Sequence, residues 1–113
     1  GTPLNGGYGA AMAAKEALAR DLSAELGPHG IRVVALRPNG MAETGTMREL
    51  FEIRARASGM TWEQFEGYLA SMTHPRRVMT LEETANVAAF MASDKASGMT
   101  GTTVNLTMGT LDD

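Results

Sequence analysis

Apolar residues recur at helical spacing through the first quarter of the chain, where Ala11, Ala14, Leu18, Leu22 and Leu26 form one stripe behind Tyr8 and Gly27-Pro28 supplies a stop. Small residues on the neighbouring faces, Gly9, Ala10, Ala13, Ala14 and Ala17, admit close approach by a second helix or a sheet. The pattern predicts one long helix that needs a large partner. After Gly30 it changes: Ile31 to Leu36 is mostly apolar and β-branched, without clean alternation, as in a parallel strand covered on both faces. A helix that runs directly into such a strand is half of an α/β unit.

Polar punctuation then marks three helix starts. Thr46-x-x-Glu49, Thr61-x-x-Gln64 and Thr80-x-x-Glu83 each allow a threonine hydroxyl to accept an early backbone N–H while the acidic or amide side chain reaches back. The first helix carries Met47, Leu50, Phe51 and Ala57 and stops at Gly59; the second carries Trp62, Phe65, Leu69 and Met72 and stops before Pro75. The third carries Thr84, Val87, Ala88 and Met91 to about Ser93, and beyond Gly98 and Gly101 the run Thr102 to Leu106 alternates like a strand.

Composition narrows the function classes. The chain has 113 residues, 43% hydrophobic and 20% charged, which is the length and make-up of one small soluble domain. A net charge of −3 with ten scattered Lys and Arg residues gives no nucleic-acid or anionic-membrane surface. The absence of cysteine removes disulfides and thiolate metal sites, and no apolar run approaches the ~20 residues of a membrane span, so a cytoplasmic protein is expected. His29 and His74 stand alone, one in a turn and one beside Pro75, and no metal site is expected. The chain opens at Gly1 and runs through Gly6-Gly7 straight into its long helix, like a chain cut open in the middle.

The segment Tyr8-Gly-Ala-Ala-Met12-Ala-Ala-Lys15, continuing through Ala24-Glu25-Leu26-Gly27-Pro28-His29-Gly30-Ile31-Arg32-Val33, resembles the active-site helix and following strand of the short-chain dehydrogenases/reductases. Arg37-Pro38-Asn39-Gly40 is similar to that family's Pro-Gly loop, and the stretch from Arg77 to Gly101 to its last helix and the turn into its last strand. The resemblance implies the C-terminal part of a Rossmann-type doubly wound parallel sheet, an α/β fold with two strands and about four helices here, incomplete without an N-terminal half. It assigns 8–27 to the active-site helix, 31–36 to a strand, 37–45 to a cofactor loop, 46–73 to substrate-lid helices, 80–93 to the last helix and 102–107 to the last strand. It further implies an NAD- or NADP-dependent oxidoreductase acting on a small molecule with a carbonyl or hydroxyl, assembled as a homo-oligomer through the long helix and the last helix and strand. The glycine-rich pyrophosphate turn and the family's catalytic serine and asparagine precede the tyrosine in such a fold, so the chain alone is expected to be inactive.

Within that register Tyr8 is the catalytic candidate. A phenol exchanges a proton with a developing alkoxide efficiently only when its pKa, about 10 unperturbed, is brought toward the working pH. The family places a lysine four residues on, one turn away on the same helix face; here that position holds Met12. A unit charge ~5 Å away at an effective dielectric near 20 is worth about 3 kcal/mol, and methionine supplies none of it. Lys15, seven residues on, returns to within about 20° of the same face but ~10 Å along the axis, where the same dielectric leaves about 1.5 kcal/mol before screening. Its reading as a charge in solvent or at a subunit face is preferred to that of a substitute.

The loop from Pro38 to Thr44 leaves the C-terminal end of a strand, where open α/β sheets bind ligands. By resemblance its backbone meets the nicotinamide carboxamide and a threonine hydroxyl touches the cofactor phosphates, which makes Pro38, Gly40, Met41 and Thr44 the cofactor-binding candidates. Two departures stand out: Asn39 occupies a position where glycine is usual, and one extra residue precedes Thr44. Met60, Trp62, Phe65, Tyr68 and Met72 offer material for an apolar pocket, although helical spacing favours plain core packing for Phe65, Leu69 and Met72. Arg76 and Arg77 offer charge for an acidic group, with a solvated pair as the simpler reading. The loss of the lysine also leaves open a pseudoenzyme that keeps the fold for assembly or ligand binding.

Overall fold

The computed structural model describes residues 3 and 5–111. Its elements in chain order are α1 (Tyr8–Leu26), β1 (Ala35–Pro38), α2 (Gly45–Ala57), α3 (Trp62–Ser71), α4 (Leu81–Ala92) and β2 (Thr103–Leu106), with single 3-10 turns at Gly27–His29 and Asp94–Ala96. The strands form a two-stranded sheet. The N–H of Gly101 donates to Val33, that of Ala35 to Thr102 and that of Asn39 to Leu106. In the last two bonds both partners advance by the same number of residues, which makes the pairing parallel. Four helices and a parallel strand pair are the α/β content that the pattern implies.

The chain divides into two compact units, Gly1–Leu36 with Phe90–Val104 and Arg37–Ala89 with Asn105–Asp113. In the first unit α1 winds as expected from Tyr8 to Leu26. The stop at Gly27-Pro28 tightens into a 3-10 turn, and Gly30 at φ +75° closes it, a left-handed conformation that costs glycine nothing. Only Ser23 of α1 is buried, while Leu18 stays 56% exposed, so the large partner that the apolar stripe calls for is not supplied by this unit. The Ser23 hydroxyl bonds the Thr100 hydroxyl at 2.6 Å. A side chain deep in the sequence of the strand region then closes the unit: Arg32 donates to the carbonyls of Met91 at 2.9 Å, Met99 at 3.2 Å and Ser93 at 3.1 Å. Its guanidinium thus covers carbonyls left open by the end of α4 and ties them to that of Met99 beyond it.

The strand expected over 31–36 begins later, at Ala35, and runs to Pro38. The N–H of Ile31 turns back to Leu26 and that of Val33 goes to the Thr100 hydroxyl. Opposite them, Gly101 sits at φ +65°, where no extended ladder can form. Apart from the single bond from the Gly101 N–H to Val33, the ladder therefore runs only beyond that glycine. The strand expected over 102–107 is Thr103–Leu106, one residue shorter at each end.

In the second unit the core is Phe51, Ala55 and Phe65, with Ala42, Met47, Trp62 and Leu69 packed against it. The Phe51 and Phe65 rings lie 5.8 Å apart, tilted by 54°. This is the seam of the α2–α3 pair. The core reading of Phe65 and Leu69 holds, whereas Met72 at the end of α3 is 40% exposed. The capping boxes at Thr61 and Thr80 form in full. The one expected at Thr46 does not, because Thr44 at φ −84°, ψ 138° is the N-cap and its carbonyl already accepts the N–H of Arg48. Thr46 consequently lies inside the first turn, past the position where its hydroxyl caps.

Candidate functional site

Tyr8 is the first residue of α1, set there by the turn through Gly6 at φ +56° and Gly7 at the N-cap. Its N–H donates to Asn5 at 3.2 Å, and 59% of the residue is exposed. A phenol at the mouth of a helix start, with no neighbour burying it, is open to a ligand and to water. Met12 is half-buried one turn on, and Lys15 is exposed. Tyr8 belongs to the first unit and Pro38, Gly40, Met41 and Thr44 to the second, and each set is positioned by its own contacts.

The loop after β1 is held at both ends. At its start the Asn39 N–H donates to Leu106 at 3.3 Å, and the Asn39 side-chain amide donates to the Thr107 carbonyl at 2.8 Å and the Thr110 hydroxyl at 3.3 Å. At its far end the Glu43 carboxylate accepts the N–H of Leu81 at 2.7 Å, satisfying one of the open amides at the start of α4. Between them the Met41 carbonyl accepts both the N–H of Thr44 at 3.0 Å and its hydroxyl at 2.9 Å. Neither Asn39 nor Glu43 is among the site residues expected from sequence. The signal for Asn39 was its departure from glycine; Glu43 carried none, since its partner lies 38 residues on.

Gly40 has a packing reason of its own. A Cβ built there falls 2.6 Å from Met47 Cε and 2.7 Å from Phe51 Cζ, so the loop backbone lies directly on the core of its unit. Among the described residues, the N–H groups of Gly40, Met41 and Ala42 make no backbone hydrogen bond. These donors at the C-terminal end of a parallel strand suit the carboxamide of a nicotinamide ring. The Met41 carbonyl is already doubly engaged. The Thr44 hydroxyl gives its proton to that carbonyl, so in this arrangement it meets a phosphate only by exchanging that bond.

The remaining candidates fall into plain roles. Trp62 lies under the Arg48 guanidinium at 3.6 Å, and Arg48 pairs with Glu52 at 2.8 Å. Trp62, Met60, Thr61, Glu52, Ala55 and Arg56 border a shallow groove of about 300 Å³. Arg77 forms a two-pronged pair with Glu83 at 2.9 and 2.5 Å, and Arg76 donates to the Ser71 carbonyl at 2.5 Å, so both have protein partners. Arg77 first, and then the Thr80 N–H, hold the Glu83 carboxyl down at about 2 against an ordinary 4.5. No group of three or more His, Cys, Asp or Glu side chains among the described residues is placed to hold a metal ion. No helix among them is long and apolar enough to cross a membrane.

The family pattern described as enoyl-(acyl carrier protein) reductase matches residues 1–110. The chain belongs to the short-chain dehydrogenase/reductase family. It is 36% identical over 104 residues to sorbitol-6-phosphate 2-dehydrogenase of Klebsiella pneumoniae, covering 90% of this chain and 39% of that protein. It is 35% identical over 85 residues to (+)-borneol dehydrogenase 2 of Salvia officinalis, covering 74% of this chain and 29% of that protein. Among solved structures, sorbitol-6-phosphate 2-dehydrogenase of Erwinia amylovora superposes with a TM-score of 0.89 at 30% identity, over 100% of this chain and 44% of the other. This short-chain dehydrogenase sequence therefore spans less than half the length of the relatives it matches. Its two strands and four helices correspond to part of their Rossmann-type fold.

Proposed function

We propose that this chain acts as the C-terminal part of an NAD(P)-dependent oxidoreductase that interconverts a carbonyl and an alcohol, with Tyr8 as general acid and base. The observation that supports this most is the family match over 1–110, with Tyr8 exposed at the start of α1. The nicotinamide, when bound, supplies or takes the hydride. In the reducing direction the Tyr8 phenol gives its proton to the substrate oxygen, and in the oxidising direction the phenolate takes it back from the hydroxyl. Solvent access to Tyr8 provides the route by which that proton is renewed. The unbonded amides of Gly40 and Met41 would orient the carboxamide, with Pro38 setting the strand exit and Thr44 closing the loop.

Met12 weakens this machinery without removing it. A cation at that position stabilises a neighbouring anion, and a thioether does not. The same residue favours a second reading, a pseudoenzyme that binds ligand or assembles with other copies but turns nothing over. The two separate when calorimetric titration of NAD and NADP into the 113-residue chain and into the longest natural polypeptide that carries it is paired with a turnover assay at the cofactor absorbance. The oxidoreductase reading expects no binding by the chain alone and binding with turnover by the longer one. Binding without turnover supports the pseudoenzyme, and tight binding by the chain alone contradicts its assignment as an incomplete half.

A further inference from the structure

We infer that Asn39 and Glu43 are positioning residues that hold the Pro38–Thr44 loop in shape for the nicotinamide end of the cofactor. The inference rests on the oxidoreductase reading above and adds two residues to it. Both side chains bond outside the loop and at opposite ends of it: Asn39 to the Thr107 carbonyl and Thr110 hydroxyl, Glu43 to the N–H of Leu81. What lies between them, Gly40 to Ala42, is the stretch whose amides make no backbone bond among the described residues. A loop that presents free donors loses affinity to its own mobility unless something else fixes it.

The anchors at both ends are themselves braced. Thr107 is 2% exposed, and its hydroxyl donates to the Asn105 side-chain oxygen at 2.6 Å while accepting the N–H of Leu111 at 3.2 Å. The Asn105 side chain donates in turn to the Leu111 carbonyl at 3.0 Å, closing the segment from Asn105 to Leu111 on itself. Asn39 is thus tied to a cross-braced knot rather than to a free loop. At the other end, Leu81 opens α4 directly behind the Thr80 capping box, whose Glu83 accepts the Thr80 N–H at 3.0 Å. Glycine at position 39 would offer neither bond, so the departure from the family's usual residue has a structural use here. Glu43 needs an acceptor oxygen, not a charge, to do its part.

The test compares Asn39→Ala, Glu43→Ala and Glu43→Gln with the unsubstituted protein, in the longest natural polypeptide that carries this chain. Calorimetry reads the affinity for a whole nicotinamide dinucleotide and for ADP-ribose, which lacks the nicotinamide. The two alanine variants should weaken dinucleotide binding by roughly 3- to 10-fold each and leave ADP-ribose within about twofold. Glu43→Gln, which keeps the acceptor, should bind both as the unsubstituted protein does. Unchanged dinucleotide affinity in the alanine variants overturns the positioning role and leaves the oxidoreductase reading intact. Equal losses for both ligands also overturn it, since they report a general loss of structure. If the unsubstituted protein binds neither ligand, the oxidoreductase reading falls and the positioning role with it.

Discussion

Gly40 is fixed as glycine by packing. Its missing side chain lets the loop backbone rest on Phe51 and Met47. Gly40→Ala should destabilise the fold by about 1–3 kcal/mol, because the Phe51 ring belongs to the buried seam and cannot swing aside as the Met47 tip can. Urea unfolding measures this, and an unchanged midpoint would mean that the loop gives way instead. The helix start at Tyr8 was legible because its signal is local: a glycine turn followed within a few residues by a helical pattern. The role of Asn39 was not, since its side-chain partners lie 68 and 71 residues away.

Among the elements, local and distant information separate in the same way. The helix starts at Thr61 and Thr80 were legible because a capping box closes within four residues, and the failed one at Thr46 lost to Thr44, which reached the cap position first. The start of β1 was illegible from its own apolar run, for it is set by the left-handed Gly101 on the partner segment. The Arg32 contacts to the end of α4 and to Met99 beyond it likewise span 59 to 67 residues. Arg32→Ala should lower stability by about 1–3 kcal/mol and Arg32→Lys should restore only part of it, because a single ammonium cannot reproduce the fork to separate carbonyls. Thermal unfolding of the two variants checks this; full rescue by lysine would show that charge alone suffices.

The start of α4 carries an acid dependence as well. Because the Glu83 carboxyl is held down, its contribution to stability is complete above the ordinary value of 4.5 and is lost as the pH falls toward about 2. Arg77 is the largest cause, so Arg77→Gln should move the Glu83 midpoint back up and narrow that window. A carboxyl titration followed by NMR reads the midpoint directly. No movement would assign the effect to the Thr80 capping box, the next cause in size.

At the scale of the whole molecule, family membership explains what the chain leaves uncovered. Leu18, on the stripe of α1 that the pattern expected to be packed, is 56% exposed, and Phe90 of α4 is 47% exposed. A chain that spans less than half the length of its relatives shares only part of their fold. The central claim is that Tyr8 exchanges the proton in a nicotinamide-dependent reaction despite Met12. Turnover of NADPH and NADH with carbonyl substrates, followed at the cofactor absorbance, tests it in the longest natural polypeptide carrying the chain and in its Tyr8→Phe and Met12→Lys variants. The expected result is measurable turnover, a loss of about 100-fold or more in Tyr8→Phe and a gain of about 10-fold in Met12→Lys, most of it in kcat. Turnover that survives Tyr8→Phe unchanged would contradict the account.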